Sequence, residues 1–367
     1  MLICERKARV TIVRDLILPS RMKAAVLYGV RDLRIEEREV PTPKEDEVLV
    51  RMKAVGVCLS DVHYVTAGRV GPYVVEKPLV LGHECSGQVV RVGGQVKSLR
   101  EGDRVVVEPG VPCRKCYYCR RGRYNLCRSM AFFATPPFDG AFAEYVTSPE
   151  DFAYKMPDHM TFEEGALIEP LSVGMHSARR GEIQSGKSIA VLGSGTIGLM
   201  TLMAAKAEGA TDIYATDTVD FNVKFAKEVG ATEAINSIKE DPVRKILDLT
   251  DGEGVDTVFD AVGLPVTIQQ AVRVVRNGGI VVLTGLGYPS PEVPVNIPDI
   301  IFKELELRGV CRYANVWQDC IKLVSTGRID AKKLITHRFD FMKVNEAFEK
   351  AERGQDRIKV MVNMPSS

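Results

Sequence analysis

A length of 367 residues exceeds what one hydrophobic core usually supports, so the sequence predicts at least two domains. The net charge is +1 and the Lys and Arg residues are scattered, so the chain lacks the basic stripe that nucleic-acid-binding proteins carry. No stretch of the sequence approaches about 20 consecutive apolar residues, so no membrane span is expected. Charged residues interrupt the apolar runs of residues 1–21, which argues against a signal-peptide core.

Short β-type runs separated by Gly, Pro and Asp dominate residues 22–150. They include residues 22–26, 48–52, 86–92 and 104–107. The pattern predicts an irregular, β-rich domain rather than a wound α/β sheet.

Strands and helices alternate from about residue 172 onward. The predicted strands are 188–193, 212–217, 233–236, 255–260 and 279–283, and the predicted helices are 196–209, 220–229 and 266–276. This repetition predicts an α/β fold with a Rossmann-type, doubly wound parallel sheet. Beyond residue 310 the regular alternation ends, and the sequence predicts mixed secondary structure. We therefore predict a nucleotide-binding domain (172–310) inserted between two parts of a catalytic domain (1–171, with 1–21 as an extension, and 311–367).

A glycine-rich turn lies between the first of these strands and the helix that follows it. Gly193, Gly195 and Gly198 form a G-x-G-x-x-G string, which lets the backbone approach a pyrophosphate and lets the helix pack on the strand. Asp217 ends the next predicted strand, where a carboxylate accepts from the ribose 2′-hydroxyl and repels a 2′-phosphate. These residues predict NAD rather than NADP. A flavin, or a domain without cofactor, is the alternative.

Four of the nine cysteines are closely spaced. Cys113, Cys116, Cys119 and Cys127 follow a C-x₂-C-x₂-C-x₇-C pattern, which suits a closed tetrahedral zinc site that holds a loop. An iron–sulfur cluster is the alternative that the spacing leaves open. The odd number of cysteines favours a reducing cytoplasm over a disulfide framework.

A second group of candidate metal ligands is dispersed along the chain. Cys58, His83, Glu84 and Glu169 carry ligand types of a catalytic zinc, which takes three protein ligands and leaves one position open. Their spacing alone does not bring them together. Taken by itself, His83 is more often a packed histidine than a ligand.

Several strings, in order, carry a resemblance to one family. They are V-C-L-S-D-V-H-Y (57–64), L-G-H-E (81–84), G-D-R-V (102–105), G-R-Y-N-L-C (122–127), A-T-P-P (134–137), E-E-G-A-L-I-E-P-L-S-V-G (163–174) and R-Y-A-N (312–315). Over residues 22–362 the chain resembles the zinc-dependent medium-chain alcohol dehydrogenases, and within them the polyol branch of sorbitol, xylitol and L-arabinitol dehydrogenases. The resemblance implies a GroES-like catalytic domain.

The resemblance also implies ligands for the catalytic zinc. These are Cys58, His83 and Glu84, with Glu84 in the place of a ligating Cys of typical alcohol dehydrogenases. Glu169 would lie beside the metal, either as an intermittent ligand or holding the zinc-bound water. Two zinc ions per chain are therefore expected, one catalytic and one structural.

Substrate and cofactor contacts follow from the same resemblance. The implied substrate residues are Tyr64, Phe132, Thr135, Glu169, Arg312 and Tyr313. The implied NAD contacts are Gly193, Gly195, Thr196, Ile197, Gly198, Asp217, Asn222, Thr284, Gly285, Leu286 and Arg312. Two residues differ from those usual in the polyol branch: Leu59 stands where Gly is usual, and Cys311 stands where Phe is usual. Asn222 stands where a basic residue often contacts the adenosine.

The expected reaction is oxidation of a polyol secondary hydroxyl to the ketose, with hydride transfer to NAD and zinc as the Lewis acid. Ser60 and His63 form one candidate proton exit, and a water chain through Glu169 is the other. His63 is equally well read as a surface histidine. Threonine or aldose dehydrogenase, and a non-catalytic relative, are the alternatives in function. The expected assembly is a cytoplasmic homotetramer or homodimer, without nucleic-acid or membrane partners.

Overall fold

The computed structural model describes residues 18–287 and 292–365, so most of the predicted extension 1–21 lies outside the described residues. In the first part of the chain the strands are β1 (Arg21–Gly29), β2 (Asp32–Glu39), β3 (Glu47–Val57), β4 (Arg69–Val70), β5 (Tyr73–Val74), β6 (Leu79–Val80), β7 (Glu84–Val92), β8 (Arg104–Val107), β9 (Gly110–Val111), β10 (Ala131–Phe132), β11 (Tyr145–Pro149) and β12 (Ala153–Lys155). The helices of this part are α1 (Leu59–Ala67) and α2 (Phe162–Ala166).

Helices and strands alternate through the middle of the chain. The helices there are α3 (Ile168–Arg180), α4 (Thr196–Glu208), α5 (Asp220–Val229), α6 (Pro242–Leu249), α7 (Pro265–Val274) and α8 (Ile297–Phe302). The strands are β13 (Ser188–Leu192), β14 (Asp212–Asp217), β15 (Glu233–Asn236), β16 (Val255–Asp260), β17 (Val275–Leu283) and β18 (Glu306–Gly309). The last elements are α9 (Trp317–Ser325), β19 (Ile335–Asp340), α10 (Val344–Arg353) and β20 (Lys359–Asn363).

Whereas β1, β2 and β6 form a separate sheet, strands from residues 47–155 and from residues 335–363 form one largely antiparallel sheet. Its strand order is β12-β8-β7-β3-β20-β19, and β11 also pairs with β3. The C-terminal strand β20 lies antiparallel to β3, with Met361 opposite Gly56, and β3 in turn sets Gly56 opposite Glu84 of β7. Residues near position 360 are thereby placed beside residues near positions 56 and 84.

The middle of the chain forms a six-stranded parallel sheet, in the order β15-β14-β13-β16-β17-β18. Each neighbouring pair is parallel. This is the order of a doubly wound dinucleotide-binding sheet, in which ligands bind at the carboxyl ends of the strands. The predicted combination of a Rossmann-type sheet with a β-rich domain is confirmed.

Several details of the predicted elements were wrong or missing. The strand predicted at 279–283 begins at Val275, and neither α8 nor β18 was predicted. The helix predicted at 266–276 ends at Val274, because Val275 is already extended and pairs with Val255 of β16. Helix α6 was not predicted. Its signal was available: Asp241 caps the helix by accepting from the N–H groups of Val243 and Arg244, and a proline occupies the first turn.

Helix α3 contacts both β7 of the antiparallel sheet and α4, which follows strand β13 of the parallel sheet. Gly174 of α3 packs so closely on α4 that a Cβ there would lie 2.5 Å from the carbonyl carbon of Met200. The predicted division between residues 171 and 172 falls inside α3 and stays a prediction. Within residues 18–287 and 292–365, no helix combines the length and apolar character needed to cross a membrane.

Candidate active site

Three potential metal ligands from two paired strands converge. Cys58 follows β3 and precedes α1, whereas His83 and Glu84 stand at the start of β7. The ligand atoms of these three residues all lie within 4.8 Å of one another. Thiolate, imidazole and carboxylate are ligands that Zn²⁺ accepts, and three of them leave a position open for substrate or water. The donor set therefore fits the predicted zinc.

A buried carboxylate lies behind the candidate ligand His83. The Asp61 Oδ1 atom is 3.5 Å from Nδ1 of His83 and accepts from the N–H of Gly82 at 3.1 Å. Burial alone would lower the pKa of His83, but the nearby Asp61 and Cys58 raise it well above its usual value. A carboxylate in this place orients a ligating imidazole.

The two residues of the candidate proton exit lie on α1. The Ser60 hydroxyl donates to Sγ of Cys58 at 3.2 Å. His63 lies one turn further along the helix and is half-buried, and this burial lowers its pKa. Ser60 is thus directly connected to a candidate ligand.

Lys359 is a site residue that the sequence analysis missed. Its ammonium group, on β20, donates to both carboxylate oxygens of Glu84 at 2.7 and 2.8 Å and to the carbonyl of Val57 at 3.1 Å. Both charged side chains are almost completely buried. A Cβ on Gly56 would lie 2.1 Å from Oε2 of Glu84, so Gly56 leaves the space that the carboxylate occupies.

A sequence signal for Lys359 exists in retrospect. It is the one charged residue in I-K-V-M-V (358–362), and an apolar run of this kind predicts a strand buried on both faces. A charge there requires a buried partner. The sequence could not identify that partner, because only the pairing of β7, β3 and β20 brings Glu84 near Lys359.

Glu169 lies within the same region. It is buried on α3 and accepts from the Tyr313 hydroxyl at 2.8 Å. Burial raises the pKa of Glu169 to about 7, while the nearby His83 lowers it. The group of mutually close ligand atoms contains Cys58, His83 and Glu84 but not Glu169.

The remaining predicted substrate residues surround this cluster. The Phe132 ring centroid is 5.6 Å from that of His83, and the Arg312 guanidinium carbon is 4.5 Å from the same Phe132 ring centroid. Tyr64 is buried and hydrogen-bonded to Thr135, and burial raises its pKa to about 12. The structure thus brings the predicted substrate residues to one place.

The four-cysteine lobe, which we define as residues 113–127, forms a second cluster. The sulfur atoms of Cys113, Cys116, Cys119 and Cys127 all lie within 4.8 Å of one another. Backbone N–H groups of Lys115 and Cys116 lower the pKa of Cys113 to about 6, whereas burial raises the pKa of Cys119 to about 12. Four thiolates fit a closed tetrahedral zinc.

The glycine-rich turn has the geometry of a dinucleotide site. Gly193 has a φ of +90°, and a Cβ on Gly198 would lie 1.7 Å from the Gly193 carbonyl oxygen. A Cβ on Gly195, at the start of α4, would meet open space, which leaves room for a phosphate. Asp217 at the end of β14 accepts from the N–H groups of Ser194 and Val219 at 2.8 and 2.9 Å, which fixes its carboxylate beside the turn.

Other predicted cofactor residues border the ends of the parallel strands. Thr284 and Gly285 follow β17 and both donate backbone N–H groups to the Asp260 carbonyl, whereas Leu286 is 76% exposed. Ile197 lies in the first turn of α4, next to Thr196. The Thr196 hydroxyl donates to the Ile358 carbonyl at 2.6 Å. Among the described residues, Oδ1 of Asn222 is buried without a hydrogen-bond partner.

The two departures from the polyol branch differ from the site residues in exposure. The Leu59 side chain is 50% exposed at the start of α1, and Cys311 is exposed. Neither residue belongs to the two clusters of candidate metal ligands.

Comparison with known proteins agrees with this geometry. Residues 44–158 match the alcohol dehydrogenase GroES-like domain, and residues 196–326 match the zinc-binding dehydrogenase family. Sorbitol dehydrogenase of Bacillus subtilis is 44% identical over 347 residues, which cover 94% of this chain and 98% of that protein.

Solved structures are similar over the same length. An Escherichia coli oxidoreductase of unknown specificity has a TM-score of 0.90 and 40% identity, covering 94% of this chain and all of that one. An Escherichia coli alcohol dehydrogenase complexed with NADH has a TM-score of 0.87 and 32% identity, again covering 94% of this chain and all of that one. The chain belongs to the zinc-dependent medium-chain alcohol dehydrogenases, a family that includes sorbitol dehydrogenase.

Proposed function

We propose that the protein oxidises a secondary hydroxyl of a polyol of the sorbitol or xylitol type to the ketose and transfers the hydride to NAD. The observation that carries this proposal is the cluster of Cys58, His83 and Glu84, which lies beside the buried Glu169–Tyr313 pair. The relative from Bacillus subtilis with 44% identity, named sorbitol dehydrogenase, supports the substrate class.

Cys58, His83 and Glu84 would hold the catalytic zinc, which when bound supplies Lewis-acid activation of the substrate hydroxyl. Asp61 orients His83, and Lys359 holds Glu84. Glu169, with its pKa near 7, is suited to hold a water molecule or to accept a proton close to neutral pH. Ser60 donates to Cys58 and, with His63 on the same helix, offers the other route for the proton.

The cofactor side of the proposal rests on the glycine turn and Asp217. The N-terminus of α4 faces the space beside Gly195, where the helix dipole favours the pyrophosphate. The Asp217 carboxylate, held by two backbone N–H groups, accepts from the ribose hydroxyls and repels a 2′-phosphate. Thr284, Gly285, Leu286 and Arg312 would border the nicotinamide half.

Assembly, location and domain limits are part of the same proposal. Strand β18 ends the parallel sheet, and Ile297, Ile301 and Phe302 just before it are 54, 63 and 84% exposed. An exposed apolar patch beside an open strand edge suits a homodimer contact, from which a homotetramer can be built. The unpaired cysteines of the described residues suit a reducing cytoplasm. The division into 1–171, 172–310 and 311–367 stays our proposal.

A substrate panel tests the function. Sorbitol, xylitol, L-arabinitol, galactitol and threonine are offered to the zinc-loaded enzyme, each with NAD and with NADP. We expect a polyol with NAD to give the highest kcat/KM. Preference for threonine would select the alternative within the family. Absence of turnover together with absence of zinc at Cys58 would select the non-catalytic relative.

A further inference from the structure

The four-cysteine lobe is hydrogen-bonded to both ends of the segment 311–315. At one end, the amide nitrogen of the Asn125 side chain donates to the Cys311 carbonyl at 2.9 Å. At the other end, the N–H of Asn315 donates to the Tyr124 hydroxyl at 3.1 Å, and the Asn315 side chain donates to the Gly122 carbonyl at 2.8 Å. Three hydrogen bonds thus join two stretches that are far apart in the sequence.

The middle of the segment points toward the candidate active site. Tyr313 donates to Glu169 at 2.8 Å, and the Arg312 guanidinium lies over the Phe132 ring. The backbone of Arg312 has a φ of +54°, which is the left-handed region that non-glycine residues seldom adopt. A backbone in this conformation persists when surrounding contacts hold it. The lobe supplies the hydrogen bond at Cys311 and two of those at Asn315, while Arg179 of α3 donates to the Asn315 carbonyl at 3.3 Å.

A buried aromatic group supports the other side of the segment. Trp317 meets Tyr313 edge-on at 5.5 Å and stacks on Tyr154 at 5.7 Å. The Tyr154 hydroxyl donates to Glu108 at 2.9 Å, and the nearby Tyr124 of the lobe lowers the pKa of the same carboxyl, which burial raises. The lobe therefore contacts segment 311–315 directly and is also connected to it through these rings.

We propose that the four-cysteine lobe positions segment 311–315, and thereby the Arg312 and Tyr313 side chains, for binding of the polyol. The proposal rests on the proposed function, because Arg312 and Tyr313 are its substrate residues. It gives the lobe a role in substrate affinity in addition to holding its own loop. Tyr124 and Asn125 act in it as positioning residues.

Two substitutions remove two of these three hydrogen bonds without altering a cysteine. Tyr124→Phe removes the acceptor for Asn315, and Asn125→Ala removes the donor to Cys311. Tyr117→Phe is the matched control, because Tyr117 is in the same lobe but is 63% exposed and stacks under Arg121 rather than on segment 311–315. All variants are prepared as zinc-loaded full-length enzyme.

We expect KM for sorbitol to rise about 3- to 10-fold in Tyr124→Phe and in Asn125→Ala, which is the range that loss of one hydrogen bond produces. KM for NAD should stay at the wild-type value. A purely structural lobe would instead lower the melting temperature and the active fraction and leave KM unchanged. Values of sorbitol KM equal to those of Tyr117→Phe would overturn the proposal.

Trp317 fluorescence tests the positioning independently of turnover. Trp317 is the single tryptophan of the chain, so its emission reports on the Tyr313 contact. We expect a changed emission in Asn125→Ala and the wild-type emission in Tyr117→Phe. If the wild-type enzyme oxidises no polyol, the proposed function fails while this measurement still decides the positioning. An unchanged emission in Asn125→Ala contradicts the positioning itself.

Discussion

At the scale of single residues, the buried pair of Lys359 and Glu84 shows how the site carries charge inside the protein. Each of the two side chains is at most 3% exposed, and the ammonium group bonds both carboxylate oxygens. A buried charge without its partner is costly, because desolvation is then not offset by attraction. Lys359 therefore stabilises the position and the charge of a candidate zinc ligand.

Lys359→Met should destabilise the enzyme by about 3–5 kcal/mol, because it leaves the Glu84 carboxylate without its ammonium partner. The free energy of unfolding is measured by urea denaturation. The matched control is the double variant Lys359→Met with Glu84→Gln, which removes both charges and should recover much of the loss. A single variant as stable as the wild type would show that Lys359 does not compensate Glu84.

Asp217 is the residue that we propose selects NAD over NADP. Asp217→Ala should lower kcat/KM for NAD and raise it for NADP, each by about tenfold, because one charge-assisted hydrogen bond is lost and the repulsion of the 2′-phosphate disappears. Steady-state kinetics with both cofactors measure this. Asp212→Ala, at the opposite end of β14, is the control and should leave the ratio unchanged. A wild-type preference for NADP would refute the assignment.

At the scale of elements, the four-cysteine lobe is a short loop that has little apolar core of its own. Its described residues are mostly half-buried or exposed, and the mutually close sulfur atoms are its central contact. A bound metal contributes folding free energy directly in such a loop. The lobe should therefore depend on its zinc more strongly than the sheets do.

Cys116→Ser should lower the zinc content from about two to about one per chain and lower the melting temperature, because a closed site loses one of its four ligands. Zinc analysis and calorimetry measure the two effects. Cys311→Ser is the control, since Cys311 is exposed and outside both clusters. Two zinc ions in the purified Cys116→Ser variant would contradict the assignment of the lobe as a metal site.

At the scale of the whole molecule, the two edges of the parallel sheet differ. Near β18, the exposed Ile301 and Phe302 form an apolar surface, whereas the β15 edge carries Ile238 as a separate exposed residue. Apolar surface beside an open strand edge favours association with another copy. The proposed subunit contact therefore lies on the β18 side.

Phe302→Asp should shift the enzyme from an oligomer toward the monomer of 40.5 kDa, because it introduces a charge into the proposed apolar contact. Sedimentation or light scattering gives the mass. Ile238→Asp makes the same change at the opposite edge and should keep the oligomer. A wild-type protein that is already monomeric would refute the proposed assembly.

The features that the sequence alone determined are those whose residues are close neighbours in the chain. The alternation of strands and helices, the turn from Gly193 to Gly198 and the spacing of the four cysteines are local, so their geometry follows from the order of residues. Two exceptions differ in kind: the end of α7 depends on the pairing of Val275 with Val255 of β16, which is a tertiary contact, whereas α6 depends on a local helix cap that the pattern did not weigh.

Only the tertiary structure decided which distant side chains meet. The pairing of β7 with β3 and of β3 with β20 sets Glu84, Gly56 and Lys359 side by side, and the packing of the four-cysteine lobe places Asn125 against Cys311. The family resemblance supplied Cys58, His83 and Glu84 as a group, but it named neither Lys359 as the partner of Glu84 nor the contact of the lobe with segment 311–315. Such contacts depend on strand order and on the docking of whole elements, which hydrophobic patterns and motif spacing do not encode.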